Sequence, residues 1–429
     1  MKVTEIKSER IGDKYIKAEH KSGLNIYIYE KKGYNSTYAT YGTSYGSINT
    51  KFKVQNDNDI TQVPAGIAHY LEHKLFESED GDAFAKYAAT GASANAYTSF
   101  DKTCYLFSCT QNFEKSLKIL LEFVNSPYFT EKTVQKEQGI IGQEIRMYDD
   151  DPNWRVTFNL LQAMYHNHPV KIDIAGTVES ISKITAEKLY KCYNTFYTPN
   201  NMAICICGNV NTEKTLSLID SLLTNKKPCN VKNIFPEEPE SIVKKRVEQK
   251  FEISVPLFQL GFKEPASSTR LDVKKIAQTG IILEILSSRS SPLYNKLLKN
   301  NLANTSFDCE YFEGPGYSSI IFSGESNNPD LASEIIKEEV NKLHDNKIDE
   351  KTFKLAKRSL YGKVLASLNS TANIANTLIS FAFSNREFFE YIDYISKCTI
   401  DDVNQRLSEQ LNTENCSLSI VSPISKGDK

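Results

Sequence analysis

Two histidines four residues apart, with a glutamate between them, form the most chemically loaded group in the chain: His69-Tyr70-Leu71-Glu72-His73. On an α-helix, positions i and i+4 share a face with Cβ atoms about 5–6 Å apart, so His69 and His73 can each aim a ring nitrogen at one ion. Glu72, three residues after His69, stays on the same edge and is placed to take a proton from an attacking water. Zinc binds imidazole well, keeps three protein ligands in catalytic sites and lowers the pKa of water to about 7. With six histidines in the chain, composition alone would produce this pattern in roughly one such chain in two hundred, so chance explains it poorly.

A third ligand must come from elsewhere. The helix predicted over Glu131 to Tyr148 offers Glu137 and Glu144, seven residues and hence two turns apart on one face, and either can reach the ion. A glutamate on a helix is ordinarily solvated; only the pairing with the histidine motif singles these two out.

These groups need a frame. Apolar residues at helical spacing from Pro64 to Phe76 put the motif on a helix, with the proline suited to its first turn. Before it, 24–29 and 36–44 read as strands; after it come a short helix over 82–89, two strands at 95–98 and 103–108, and helices over 112–125, 131–148, 153–165 and 185–196. A strand, 202–207, closes the half. The charged, proline-bearing stretch 226–241 reads as a linker. Beyond it the order returns: a strand at 258–262, helices over 272–286 and 293–299, strands at 307–311 and 318–323, helices from Pro329, and a last strand at 417–421. This predicts an α+β protein of two homologous domains, each a mainly antiparallel sheet backed by helices: 1–225, which carries the metal motif, and 242–429, which does not. The two domains are expected to face each other across a cavity that admits an unfolded peptide.

HxxEH is the inverzincin signature. The run Gly66 to Phe76, with Asn95-Ala96-Tyr97-Thr98, Glu137 to Glu144, Ile174 to Ile181 and Phe196 to Asn201, resembles the pitrilysin/insulinase family of zinc peptidases, the mitochondrial-processing-peptidase group among them. The resemblance spans the first half and extends more weakly through the second. It implies a LuxS/mitochondrial-processing-peptidase-like metallohydrolase fold and one Zn2+ per chain held by His69, His73 and Glu144. Glu72 is then the general base and Glu137 a catalytic helper. Asn95, Ala96, Tyr97 and Thr98 become a strand edge to which an extended peptide substrate adds itself. Larger active members carry an arginine and a tyrosine in the second half; Lys296 to Thr305 contains neither. Length and this segment most resemble the YmfH-like bacterial branch, whose members match one half of the long insulinases and often accompany a homologous subunit lacking the motif. The resemblance implies an endopeptidase, possible service as a processing peptidase, and a dimer; the other reading is a scaffold subunit that binds peptide or a homologous chain without cutting.

Composition agrees with an ordinary globular chain. Its 429 residues are 40% hydrophobic and 24% charged, with a net charge of −2, so nucleic acid and anionic membranes are not expected partners. No stretch is long and apolar enough for a membrane span, and Met1 to Ile6 has no apolar run, which predicts a cytoplasmic protein. The nine cysteines are irregularly spaced, and Cys104, Cys205 and Cys207 read as reduced core thiols. His166-Asn167-His168 reads as a surface turn beside Pro169, and Asp149-Asp150-Asp151 as a solvated helix end.

Overall fold

A computed structural model describes the chain except Asn56, Asn58, Asp80, Thr224, Asn225, Ala266, Ser268, Thr269 and Ser425–Lys429. Asn225, the predicted end of the first domain, lies outside the described residues, as does the last stretch of the second. Two compact units interleave in sequence. Met1–Ile145, Asp173–Ile234 and Ala366–Phe389 make the first; Arg146–Ile172, Phe235–Leu365 and Glu390–Lys429 make the second.

The chain begins with β1 (Lys2–Ser8), β2 (Asp13–Glu19), β3 (Asn25–Glu30) and β4 (Thr37–Thr43). Short strands β5 (Lys51–Val54) and β6 (Thr61–Gln62) lead to the motif helix α1 (Ile67–Leu75). The small hairpin β7 (Glu77–Ser78) and β8 (Gly81–Asp82) enters α2 (Ala83–Ala88), whose first turn Asp82 caps through the Phe84 amide. Next come β9 (Ser93–Thr98), β10 (Thr103–Cys109), α3 (Phe113–Asn125), α4 (Glu131–Asp149) and α5 (Pro152–Met164). The run closes with α6 (Val178–Ile181), α7 (Ala186–Phe196), β11 (Met202–Gly208), α8 (Thr212–Leu222) and β12 (Val231–Asn233).

The main sheet of the first unit has the order β1-β2-β3-β11-β4-β10-β9. Every pair is antiparallel except β3 with β11. Alternation along its strands sorts the faces. Tyr41 and Tyr105 turn toward α3 and α7, where Tyr105 meets Phe123 and Tyr197. Helix α3 answers with Leu117, Leu120, Leu121 and Val124, a buried stripe at helical spacing.

In the second unit β13 (Arg246–Phe251), β14 (Leu257–Lys263), α9 (Val273–Ser287), α10 (Pro292–Lys299), β15 (Asp308–Gly314) and β16 (Tyr317–Glu325) precede α11 (Pro329–Asn346) and α12 (Glu350–Ser367). After α13 (Thr371–Phe383), which belongs to the first unit, come α14 (Phe388–Lys397), α15 (Ile400–Ser408) and β17 (Cys416–Pro423). The sheet order is β13-β17-β14-β16-β15, with β13 and β17 parallel and the rest antiparallel. That is the order of β3-β11-β4-β10-β9 repeated, down to the single parallel pair, so the fold is two homologous α+β domains.

Each sheet is backed by a helix that sequence order would assign to the other half. Helix α13 covers the first sheet: Asn376 donates to the Tyr38 hydroxyl at 3.2 Å, and Ile379 lies against Gly42. Helix α5 covers the second, with Gln259 donating to Thr157 at 3.0 Å and Asn159 to Gln249 at 2.8 Å. The stretch 226–241 is also more than a connector: β12 pairs with β5, and Glu238, buried, forms an ion pair with Lys263 at 2.7 Å. Among the described residues no helix is long and apolar enough to cross a membrane.

Candidate metal centre

Helix α1 is held from both ends of its function. At its start Gly66 takes φ 86°, and a Cβ there would run into the Ala175 carbonyl; facing it, Gly176 at φ 77° leaves no room for a Cβ beside the Ala65 carbonyl. The Ser180 hydroxyl, part of a capping box with Thr177, donates to that Ala65 oxygen at 2.9 Å. Residues 174–181 therefore form the seat of the motif helix. Helix α1 starts at Ile67, so Pro64 lies ahead of it rather than in its first turn, because the left-handed Gly66 sets the entry. Farther along, the Tyr70 hydroxyl donates to the Val134 carbonyl and ties α1 to α4.

This attachment brings two imidazoles and a carboxylate together. His69 Nε2 lies 3.6 Å from Glu144 Oε1, and His73 Nε2 lies 3.4 Å from Glu144 Oε2. One donor atom from each of His69, His73 and Glu144 falls within 4.8 Å of the other two. Nitrogen and oxygen ligands about 2.0–2.2 Å from a tetrahedral zinc stand roughly 3.3–3.6 Å apart, so the donor set and its spacing fit that ion. His69 is buried, while the His73 and Glu144 side chains keep 25% and 21% of their surface exposed, which leaves one side of the centre reachable.

Of the two candidate glutamates, Glu144 faces the Nε2 atoms, and Glu137 takes the opposite edge of His73. The Glu137 Oε1 atom accepts from His73 Nδ1 at 3.0 Å. This hydrogen bond holds the Glu137 carboxyl below its usual range. Burial opposes charge on His73, but the Glu137 bond and the charges of Glu72 and Glu144 outweigh it and raise the imidazole pKa. No protein group occupies the matching position on His69, whose Nδ1 is enclosed without a partner among the described residues.

Glu72 is buried beside the pair, and its Oε2 accepts from Thr98 Oγ1 at 2.6 Å. Burial pushes its carboxyl pKa up, against the pull of His69, the Thr98 hydrogen bond and His73. Strand β9, with Asn95, Ala96, Tyr97 and Thr98, ends the sheet order, and among the described residues no strand pairs with its outer side. Thr98 and Thr103 are opposed across the β9–β10 hairpin, so Thr98 points to the α1 face and Tyr97, opposite Cys104, to the other. The sequence reading missed Thr103; counting the register back from the turn at residues 99–102 would have found it. It also missed the Tyr105–Tyr197 hydroxyl pair, 2.9 Å apart, whose ionisation is suppressed chiefly by burial, with the charge of Glu72 adding to it.

The reading of His166–His168 as a surface turn needs correction. His168 is fully buried: its Nδ1 accepts from the Val170 amide at 3.1 Å and its Nε2 donates to the Pro315 carbonyl at 3.0 Å. It caps a short turn, and polar neighbours in sequence disguised it. Asp151 does cap α5, accepting from the Asn153 and Trp154 amides, and the nine cysteines are free, with Cys104, Cys205 and Cys207 buried.

A helix-borne HxxEH pair met by a carboxylate from a second helix, on one of two α+β units with the same strand order, is the arrangement expected of an inverzincin-type centre in a duplicated frame. The chain belongs to the insulinase family, peptidase family M16: the model described as "Insulinase (Peptidase family M16)" matches residues 60–178, and "Peptidase M16 inactive domain" matches 183–360. It is 39% identical to the uncharacterized zinc protease YmfH of Bacillus subtilis, over 98% of this chain and 99% of that protein. A crystal structure of a putative M16-like peptidase from Alicyclobacillus acidocaldarius superposes with TM-score 0.92 at 34% identity, covering 96% of this chain and 98% of that one. The periplasmic protease PqqL of Escherichia coli shares the fold with TM-score 0.74 at 16% identity; the match takes in 99% of this chain but 50% of PqqL.

Proposed function

We propose that this chain is a zinc-dependent endopeptidase acting on extended, unfolded peptides or small polypeptides. One Zn2+ per chain is held by His69, His73 and Glu144, with Glu72 as general base and Glu137 supporting His73. The observation that carries this reading is the approach of both Nε2 atoms to one carboxylate, at 3.6 and 3.4 Å, with Glu72 beside them. Zinc bound there supplies Lewis acidity, polarising the peptide carbonyl and bringing the pKa of water to about 7. Glu72 takes the proton of the attacking water and passes it to the leaving amine. Strand β9 offers its outer edge, where backbone pairing holds peptides of many sequences.

A specific observation favours completion by a partner. Lys296 to Thr305 has no arginine or tyrosine, and the chain corresponds in length to half of PqqL. In this form of the reading a homologous chain supplies the missing stabilisation, and a chain inactive under both conditions is a peptide-binding scaffold. The test is turnover of an unstructured peptide pool by the zinc-loaded chain, alone and mixed with a homologous motif-lacking subunit. Glu72→Gln should retain zinc and lose cleavage; cleavage undiminished by that change removes Glu72 from the mechanism, and zinc binding with no turnover in either mixture selects the scaffold.

A further inference from the structure

Thr98 lies in the strand offered to substrate, yet its side chain points the other way. Its hydroxyl sits 2.6 Å from Glu72 Oε2 and 3.3 Å from Thr103 Oγ1, while Thr103 Oγ1 donates to the Tyr45 carbonyl at 2.9 Å. The proton positions follow. A carbonyl oxygen cannot donate, so the single Thr103 proton is committed to Tyr45. Thr98 is then left with its own proton and two acceptors to choose from, and the buried carboxylate is the stronger. Thr103 is wholly buried and opposite Thr98 in the hairpin register, so it braces the hydroxyl from behind. The other carboxylate oxygen, Glu72 Oε1, has no hydrogen-bond partner among the described residues.

We infer that Thr98 is a positioning residue for Glu72: it occupies Oε2 and fixes the carboxylate plane so that Oε1 is presented for proton transfer, while only the backbone of β9 serves the peptide. A glutamate side chain has three rotatable bonds, and a threonine hydroxyl on a sheet strand removes the last of that freedom. Ala94 and Ala96, which share the Thr98 face of β9, have no polar atom to substitute for it. This inference rests on the proposed peptidase reading.

The experiment compares Thr98→Val, which keeps the branched shape and removes the hydroxyl, with Thr98→Ser, which restores it. Misplacing a reacting group by about an ångström costs on the order of a hundredfold. Expected for Thr98→Val are a kcat roughly ten- to a hundredfold lower, a KM within about twofold and an unchanged zinc content, with Thr98→Ser recovering most of the rate. A raised KM at constant kcat makes Thr98 a substrate contact and overturns the inference, as does a valine variant equal to the parent. A readout independent of turnover keeps the two readings separate. In crystal structures of the zinc-loaded parent and Thr98→Val, the Glu72 carboxylate should leave its place in the variant. An unmoved carboxylate overturns the positioning role even if the parent cleaves nothing, whereas absent turnover with a displaced carboxylate sinks only the peptidase reading.

Discussion

Glu137 Oε1 stands 3.0 Å from Nδ1 of His73, on the edge of the ring away from Glu144, so the imidazole proton is held on one side and the Nε2 lone pair is turned to the other. A ring fixed in this way loses one tautomer and much of its freedom to rotate before any ion arrives. His69 has no such support among the described residues. The two histidines of one motif are therefore unequal.

Replacing Glu137 with alanine should lower zinc affinity about ten- to a hundredfold, the range found when the partner of a ligating histidine is lost. Glu137→Gln, which keeps an acceptor oxygen but loses its charge, should fall between. Competition against a chromophoric chelator measures both. Equal affinities for parent and alanine variant would show that His73 needs no such partner.

Gly66→Ala tests the seat of the motif helix. The substitution forces an L-residue to φ 86° and drives a Cβ into the Ala175 carbonyl, and strained backbone of this kind costs about 1–3 kcal/mol before the clash is counted. The denaturation midpoint should fall and zinc affinity with it, since α1 must shift to relieve the overlap. A variant as stable as the parent would mean that the 174–181 turn yields freely.

His168, in the second unit, supplies a pH dependence of its own. Burial, the largest influence, depresses its pKa from 6.5 to about 4, against the opposing pull of the Pro315 carbonyl and Glu238; Lys263 adds to the depression. Protonation would put a hydrogen on Nδ1 facing the Val170 amide, itself a donor. With a folded pKa below the unfolded one, the contribution to stability is complete above about 6.5 and is lost as pH falls toward 4; a shift of this size corresponds to roughly 3 kcal/mol. His168→Gln should flatten the stability profile between those limits in urea melts at a series of pH values. A profile as steep as the parent's assigns the acid sensitivity to other groups.

Local order made much of this legible. The 3.6-residue period places His69, Glu72 and His73 on one edge of α1 whatever surrounds it, and alternation with turn residues marks β3, β4, β9, β10 and β11. Strands β1 and β13 escaped notice because few of their residues are apolar and their burial is shallow. The charge and prolines of 226–241 hid both β12 and the buried Glu238.

From the chain alone came the candidate metal-binding pair, the candidate base beside it, two candidate third ligands and the duplicated α+β plan, because each follows from spacing along one element or from the order of elements. Which carboxylate opposes the imidazoles was decided only when α4 docked on α1: Glu137 and Glu144 share a helix face, and two turns, about 10.5 Å, separate the one beneath His73 from the one before both rings. The exchange of α5 and α13 between sheets and the turning of Thr98 toward Glu72 are of the same kind. They depend on what packs across long sequence separations, which no local periodicity encodes.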